Sequence, residues 1–133
     1  MDFEKIKKEF IVNPKEYSKE KLANLMSSLL EFVRVGNKGE VVVVRKVPSR
    51  KILKLILSAR YVAHEAEDAI SPDVSRTELE SYSGLKKPVF SARISEVQRE
   101  GFADKKGDVI RAKNILLIEK FVQELKSSNG KRN

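Results

Sequence analysis

Ser75-Arg76-Thr77-Glu78-Leu79-Glu80-Ser81-Tyr82-Ser83-Gly84-Leu85-Lys86-Lys87-Pro88-Val89-Phe90 reads as a helix, a tight turn and the start of a second helix. Ser75 to Glu78 has the form of a capping box, in which the serine oxygen accepts a backbone N–H of the first turn and the glutamate reaches back to the cap. The helix it starts carries Leu79 and Tyr82. Gly84 stops that helix, because glycine takes the left-handed conformation beyond a helix end without a Cβ clash. Leu85 is expected to follow as a buried plug. Pro88 marks the next helix start, where its missing N–H has no intrahelical partner to lose. Phe90, Ile94 and Val97 follow at spacings of four and three and line one face. Val89, Ala92, Arg93, Glu96 and Arg99 fall on the other.

Gly101 ends the second helix. Phe102-Ala103-Asp104, the turn Lys105-Lys106-Gly107-Asp108 and Val109-Ile110-Arg111 then predict a small hairpin with two lysines at its tip. The segment from Ser83 to Phe102 resembles the turn and recognition helix of winged-helix DNA-binding proteins, as found in MarR-like and ArsR-like regulators. The likeness rests on the Gly84-Leu85 turn, a helix with Ser91 and Arg93, and the ending Val97-Gln98-Arg99-Glu100-Gly101-Phe102. Such motifs usually carry a small residue after the buried leucine of the first helix. This chain has Glu80 there, so either the register is shifted by one residue or the helices cross more loosely. The resemblance covers roughly a third of the chain and extends to the superfamily only.

Outside that stretch, Phe3, Ile6 and Phe10 have helical spacing, which predicts a short, highly charged helix over 2–11. Asn13-Pro14-Lys15-Glu16 looks like a second capping box, and Ser18 offers an alternative start one turn later. Leu22, Leu25, Met26, Leu29, Leu30 and Val33 form the cleanest apolar stripe, with Gly36 as the expected stop. After the turn Asn37-Lys38-Gly39, the β-branched run from Glu40 to Arg45 predicts a strand covered on both faces. Pro48 and Ser49 close it and cap a long helix from Arg50 to about Asp68, apolar nearly all round in its first half and expected to be the central buried helix. Asn114 caps a final helix with Ile115, Ile118, Phe121, Val122 and Leu125 on one stripe and Leu116 and Leu117 beside it. That width exceeds one packing face, which predicts a homodimer formed through this helix and the Leu22–Val33 helix.

The expected fold class is mainly α with a small β component: a winged helix-turn-helix with an N-terminal helical extension, one extra strand and a C-terminal helix. Residues 1–48 supply helices and a strand packed on the core or on a dimer partner. Residues 49–126 form the winged-helix domain with its C-terminal helix, and 127–133 a disordered basic tail.

The 133 residues carry a net charge of +8, which favours a polyanionic partner through counterion release and long-range steering. There is no cysteine, hence no disulfide, thiolate nucleophile or cysteine zinc site. No run approaches the roughly 18 apolar residues of a membrane span, and the first residues lack a signal peptide's apolar core, so a cytoplasmic protein without a membrane partner is expected. His64 and Asp68 stand one helical turn apart, but two ligands do not make a metal site and the chain holds no second histidine. A solvated or capping histidine is the better reading. Gly36-Asn37-Lys38-Gly39 precedes a strand and lacks the Gly-Lys-Ser/Thr ending of a phosphate loop. The carboxylates are interleaved with lysine and arginine, as on solvated helix faces. No catalytic constellation, metal site or cofactor is expected, and nothing marks a small-molecule effector pocket.

The resemblance implies a transcriptional regulator that binds double-stranded DNA, with the helix after Pro88 in the major groove and the hairpin on a neighbouring backbone. Lys86 and Lys87 are then candidates for phosphate contact, Val89 and Ala92 for close approach or a thymine methyl, and Ser91 and Arg93 for base edges. Lys105, Lys106 and Arg111 belong to the hairpin and its phosphates. Ser91 has the alternative of bonding its own helix backbone. Arg93 and Arg99 have the alternative of pairing with Glu96 and Glu100; Arg93 is assigned to DNA and Arg99 to the pair. Glu96 opposes phosphate. A second reading is a winged-helix protein-interaction module of a transcription or replication assembly with only non-specific nucleic-acid affinity. RNA binding lacks the interleaved aromatics that stack single-stranded bases.

Overall fold

A computed structural model describes residues 2–11 and 18–130. Those residues are mainly helical with a small share of strand. The expected capping box at Asn13 to Glu16 lies outside them.

α1 spans Phe3–Phe10, with Asp2 Oδ1 accepting the Glu4 N–H at 3.0 Å. α2 spans Lys19–Leu29 and starts at the Ser18 cap, whose Oγ accepts the Lys21 N–H at 3.2 Å. It ends earlier than its apolar stripe suggests. Val33 does not continue the helix: β1, Val33–Val35, pairs antiparallel with β2, Val41–Val43, and Gly36 belongs to the hairpin turn between them. β2 is not covered on both faces either, since Val41 is buried while Val42 and Val44 are exposed. A sheet of two strands, packed against α3, has one face left for solvent.

α3, Ser49–Ala66, is the central helix. Pro48 occupies the cap position without a side-chain bond and Ser49 is already helical, so the expected serine cap is absent. Leu53, Leu55, Ile56 and Leu57 are fully buried. β3, Val74–Ser75, leads into α4, Arg76–Ser83, and α5, Lys87–Arg99. β4, Ala103–Lys106, and β5, Val109–Ala112, form a hairpin that β3 joins in the order β3-β5-β4, all antiparallel, with Val74 opposite Ile110. Lys106 pairs with Val109, so the turn is only Gly107-Asp108. Lys105 and Lys106 therefore lie in β4 and not in the turn. Gly107, at φ 59, supplies the positive φ that a two-residue hairpin turn needs first.

α6, Ile115–Gly130, begins where Asn114 Oδ1 accepts the Leu117 N–H at 3.1 Å. It continues through 127–130, where a disordered tail is expected from the sequence; 131–133 lie outside the described residues. Its stripe of Ile115, Ile118, Phe121, Val122 and Leu125 is buried, with Phe121 edge-on to Phe102 at 5.9 Å. α2 packs on both α3 and α6. The apolar width that predicts a dimer is thus consumed within the chain: Leu22, Leu25 and Leu29 are buried in the same core as the α6 stripe, leaving Leu30 and Leu116 exposed.

Candidate nucleic-acid interface

At the start of α4, Ser75 Oγ accepts the Glu78 N–H at 3.1 Å, while Glu78 Oε1 accepts the Ser75 N–H at 3.2 Å. Tyr82 donates its hydroxyl to Glu78 Oε2 at 3.1 Å. The bond from the Ser75 backbone, followed by the two hydroxyls, holds the Glu78 carboxyl below its ordinary range. Gly84 closes the helix at φ 67. At the turn, the buried Ser83 Oγ donates to the Glu80 carbonyl at 2.8 Å and accepts the Leu85 N–H at 3.1 Å, while Glu80 is half-buried. Leu85 is half-buried against the core, a looser plug than expected.

α5 follows after one residue of cap. Lys86 holds the N-cap position without a side-chain bond to the first turn, and Pro88 lacks an N–H. Phe90, Ile94 and Val97 are buried as their spacing predicts, and Arg76 stacks over Phe90 at 5.2 Å. Lys86, Lys87, Val89, Ser91 and Ala92 are all exposed. These five share the N-terminal half of one helix.

Arg93 does not join them. Its Nη1 meets both Glu96 oxygens, at 2.7 and 2.8 Å, and its side chain is only 19 % exposed. The hydrogen bond from Arg93 lowers the Glu96 pKa. Arg93 Nη1 thus makes the i+3 pair that the sequence offers as its alternative to DNA. Arg99, assigned to an ion pair, is exposed; with Arg50, Lys54, Glu96 and Glu100 it lines a depression of about 260 Å³. Lys54 takes Glu100 instead, at 2.5 Å.

On the hairpin, Lys105 and Lys106 are exposed along β4. Arg111 is half-exposed and donates from Nε to Asp73 Oδ1 at 2.7 Å, which lowers the Asp73 pKa and raises that of Arg111. Lys106, Arg111, Asp73 and Asp104 surround one shallow depression, so the hairpin is a mixed surface and not a purely basic one.

One residue escaped the sequence reading. Arg60 is buried in α3 and donates to three main-chain carbonyls, those of Ser71 at 2.9 Å, Gly39 at 2.8 Å and Asp73 at 2.7 Å. It ties the β1–β2 turn to the segment that enters β3. Gly39 has φ 96, and a Cβ there would stand 3.0 Å from the Arg60 guanidinium carbon, tighter than ordinary contact. The signal was a lone cation inside the largely apolar run from Leu55 to Ala63. His64 places Nδ1 2.7 Å from the Ile70 carbonyl. A carbonyl only accepts, so that nitrogen carries the proton and the histidine acts as a loop cap. Among the described residues no three of His, Asp and Glu gather to hold a metal, and no helix is long and apolar enough to cross a membrane.

Comparison with family models, with curated proteins and with solved structures returns no match.

Proposed function

We propose that the chain is a transcriptional regulator that binds double-stranded DNA through a winged helix-turn-helix built from α3 to β5. The order of elements carries this reading: α3, β3, α4, α5, β4 and β5, with a left-handed glycine between α4 and α5 and the hairpin returning beside β3. A helix pair joined by a tight glycine turn and followed by a hairpin is a combination suited to a major groove with a flanking backbone. The exposed N-terminal half of α5 would enter the groove. Val89 and Ala92 are small enough for close approach, Ser91 offers a hydroxyl, and Lys86 and Lys87 meet phosphate. Lys105 and Lys106 reach a neighbouring backbone. Arg111 is held by Asp73 and Arg93 by Glu96, so both are secondary to these lysines.

Those same pairs favour the second reading, an interaction module with only general affinity for nucleic acid. Lys113 is also drawn to an acid, Asp104 at 3.7 Å. Three cations near the site are thus partly neutralised from within. Selection of bound fragments from a random duplex pool, followed by titration of the selected and scrambled duplexes at fixed salt, separates the two. A regulator prefers its own sequence by roughly a thousandfold or more. Equal affinity for every duplex supports the interaction module, and no binding even at low salt removes both.

A further inference from the structure

Among the described residues, α1 has no buried side chain. Its helix is capped at Asp2, yet Phe3, Ile6, Phe10 and Ile11 are 73, 43, 85 and 66 % exposed. The spacing places Phe3, Ile6 and Phe10 on one stripe, with Lys7 at its border. A contiguous apolar stripe in water marks a contact surface. The fold also has an apolar groove without a cover. It lies between the C-terminal halves of α2 and α3 beside β1, with Met26, Leu29 and Leu30 on one wall, Ala59 and Ala63 on another, and Ile70 closing the end. Its volume is about 260 Å³, open to solvent, and short of the roughly 300 Å³ at which small-molecule sites begin. Side chains fit it better than a ligand.

Charge matches the two surfaces. Glu67 lines the groove together with Arg34, whose guanidinium is turned to the Leu30 and Val33 carbonyls, and Glu65 and Asp68 are exposed beside it, while the last turn of α1 carries Lys7 and Lys8 before Glu9. Glu65, Glu67, Asp68, Lys7 and Lys8 make no ion pair among the described residues. We propose that the groove receives α1 from a second copy of this chain, so that two copies exchange their first helices. Both surfaces are present in one chain and it leaves them apart. Reciprocal exchange between two chains is isologous and closes at two copies, covering both stripes and both grooves. The buried stripe of α6 has no part in it, and α2 contributes only the Met26, Leu29 and Leu30 wall of the groove. The contact shares no residue with α5 or the β4–β5 hairpin, and its test needs no DNA.

The chain has no cysteine, so introduced thiols report cleanly. Phe10→Cys chains are mixed with Ala63→Cys chains carrying a mass tag, oxidised without DNA, and run on a non-reducing gel, beside light scattering of the unaltered chain at micromolar concentration. The expected results are a mixed disulfide between the two kinds of chain and a dimeric mass, which falls to a monomer in Phe3→Asp/Phe10→Asp while the helical signal stays. A monomeric unaltered chain overturns the proposal. So does a mixture without the mixed disulfide, a Phe10→Cys/Ala63→Cys chain that closes only on itself, or a dimer that survives the aspartates.

Discussion

The Arg60 guanidinium sits largely out of water and, among the described residues, in no ion pair, and its hydrogen bonds go to the carbonyls of Gly39, Ser71 and Asp73. Methionine keeps most of the stem but strands all three acceptors, each at a cost of about 1–3 kcal/mol. Arg60→Met is expected to lower the unfolding free energy by about 3 kcal/mol, read as a lower urea midpoint at unchanged slope. Arg60→Lys should recover little, since an ammonium cannot fan out to three carbonyls as the planar fork does. A loss below about 1 kcal/mol would mean that water serves the carbonyls as well. Nearby, Arg111 holds Asp73 below the usual carboxylate range, and the cap hydrogen bonds do the same for Glu78. A lowered folded-state pKa gives stability that is present above the unfolded value, near pH ~4, and is lost as pH falls through the folded value. Stability should therefore decline below about pH 4. In Asp73→Asn that acid decline should be shallower and stability at neutral pH slightly lower, as urea midpoints across a pH series will tell. The pair is partly exposed, so the neutral-pH loss should stay within about 1 kcal/mol.

Among the elements, the α4–turn–α5 unit was legible because each signal is local: a serine and a glutamate three residues apart, a glycine after the last turn, a proline at the next start. Such signals can be tested singly. Ser75→Ala removes one half of the capping box and should cost about 1 kcal/mol. Gly84→Ala meets no atom within 4 Å, so only its φ of +67 is penalised, again by about 1 kcal/mol. Thermal melts of both variants should show shifts of similar size, and a far larger loss in Gly84→Ala would point to a steric contact instead. Strands were harder to read. Val33 continues the i, i+4 spacing of Leu25 and Leu29, and no glycine or proline warns that α2 has ended; the alternation of Val33, Arg34 and Val35 was the better guide. For β2 the apolar run was visible but not its exposure, which depends on the sheet having two strands. The site divides in the same way. The lysines and small residues of α5 are exposed where the helical period puts them. Arg93 and Arg111 are each paired with an acid, at i+3 in one case and 38 residues away in the other, and only the first pairing is visible in the sequence. Arg60 depends on three segments meeting, which no local pattern encodes.

At the scale of the whole molecule, a charge of +8 makes some attraction to any polyanion unavoidable, so affinity alone says little about the proposed function. Salt dependence is more informative, because the slope of log K against log salt reports how many phosphates are neutralised. If the β4–β5 hairpin lies on a DNA backbone, Lys105→Ala/Lys106→Ala should make that slope shallower by about 2 and weaken all duplexes alike. Lys120→Ala, an exposed cation on α6, removes one charge outside both proposed contact elements and serves as the control. Diffuse attraction by net charge predicts that the control lowers affinity by about half as much as the double variant, since it removes half as many charges. Docking through the hairpin predicts that the control leaves the slope where it was. Fluorescence anisotropy over a series of salt concentrations, with one selected and one scrambled duplex, measures both. An unchanged slope in the double variant would take the hairpin off the backbone and leave α5 to bind alone.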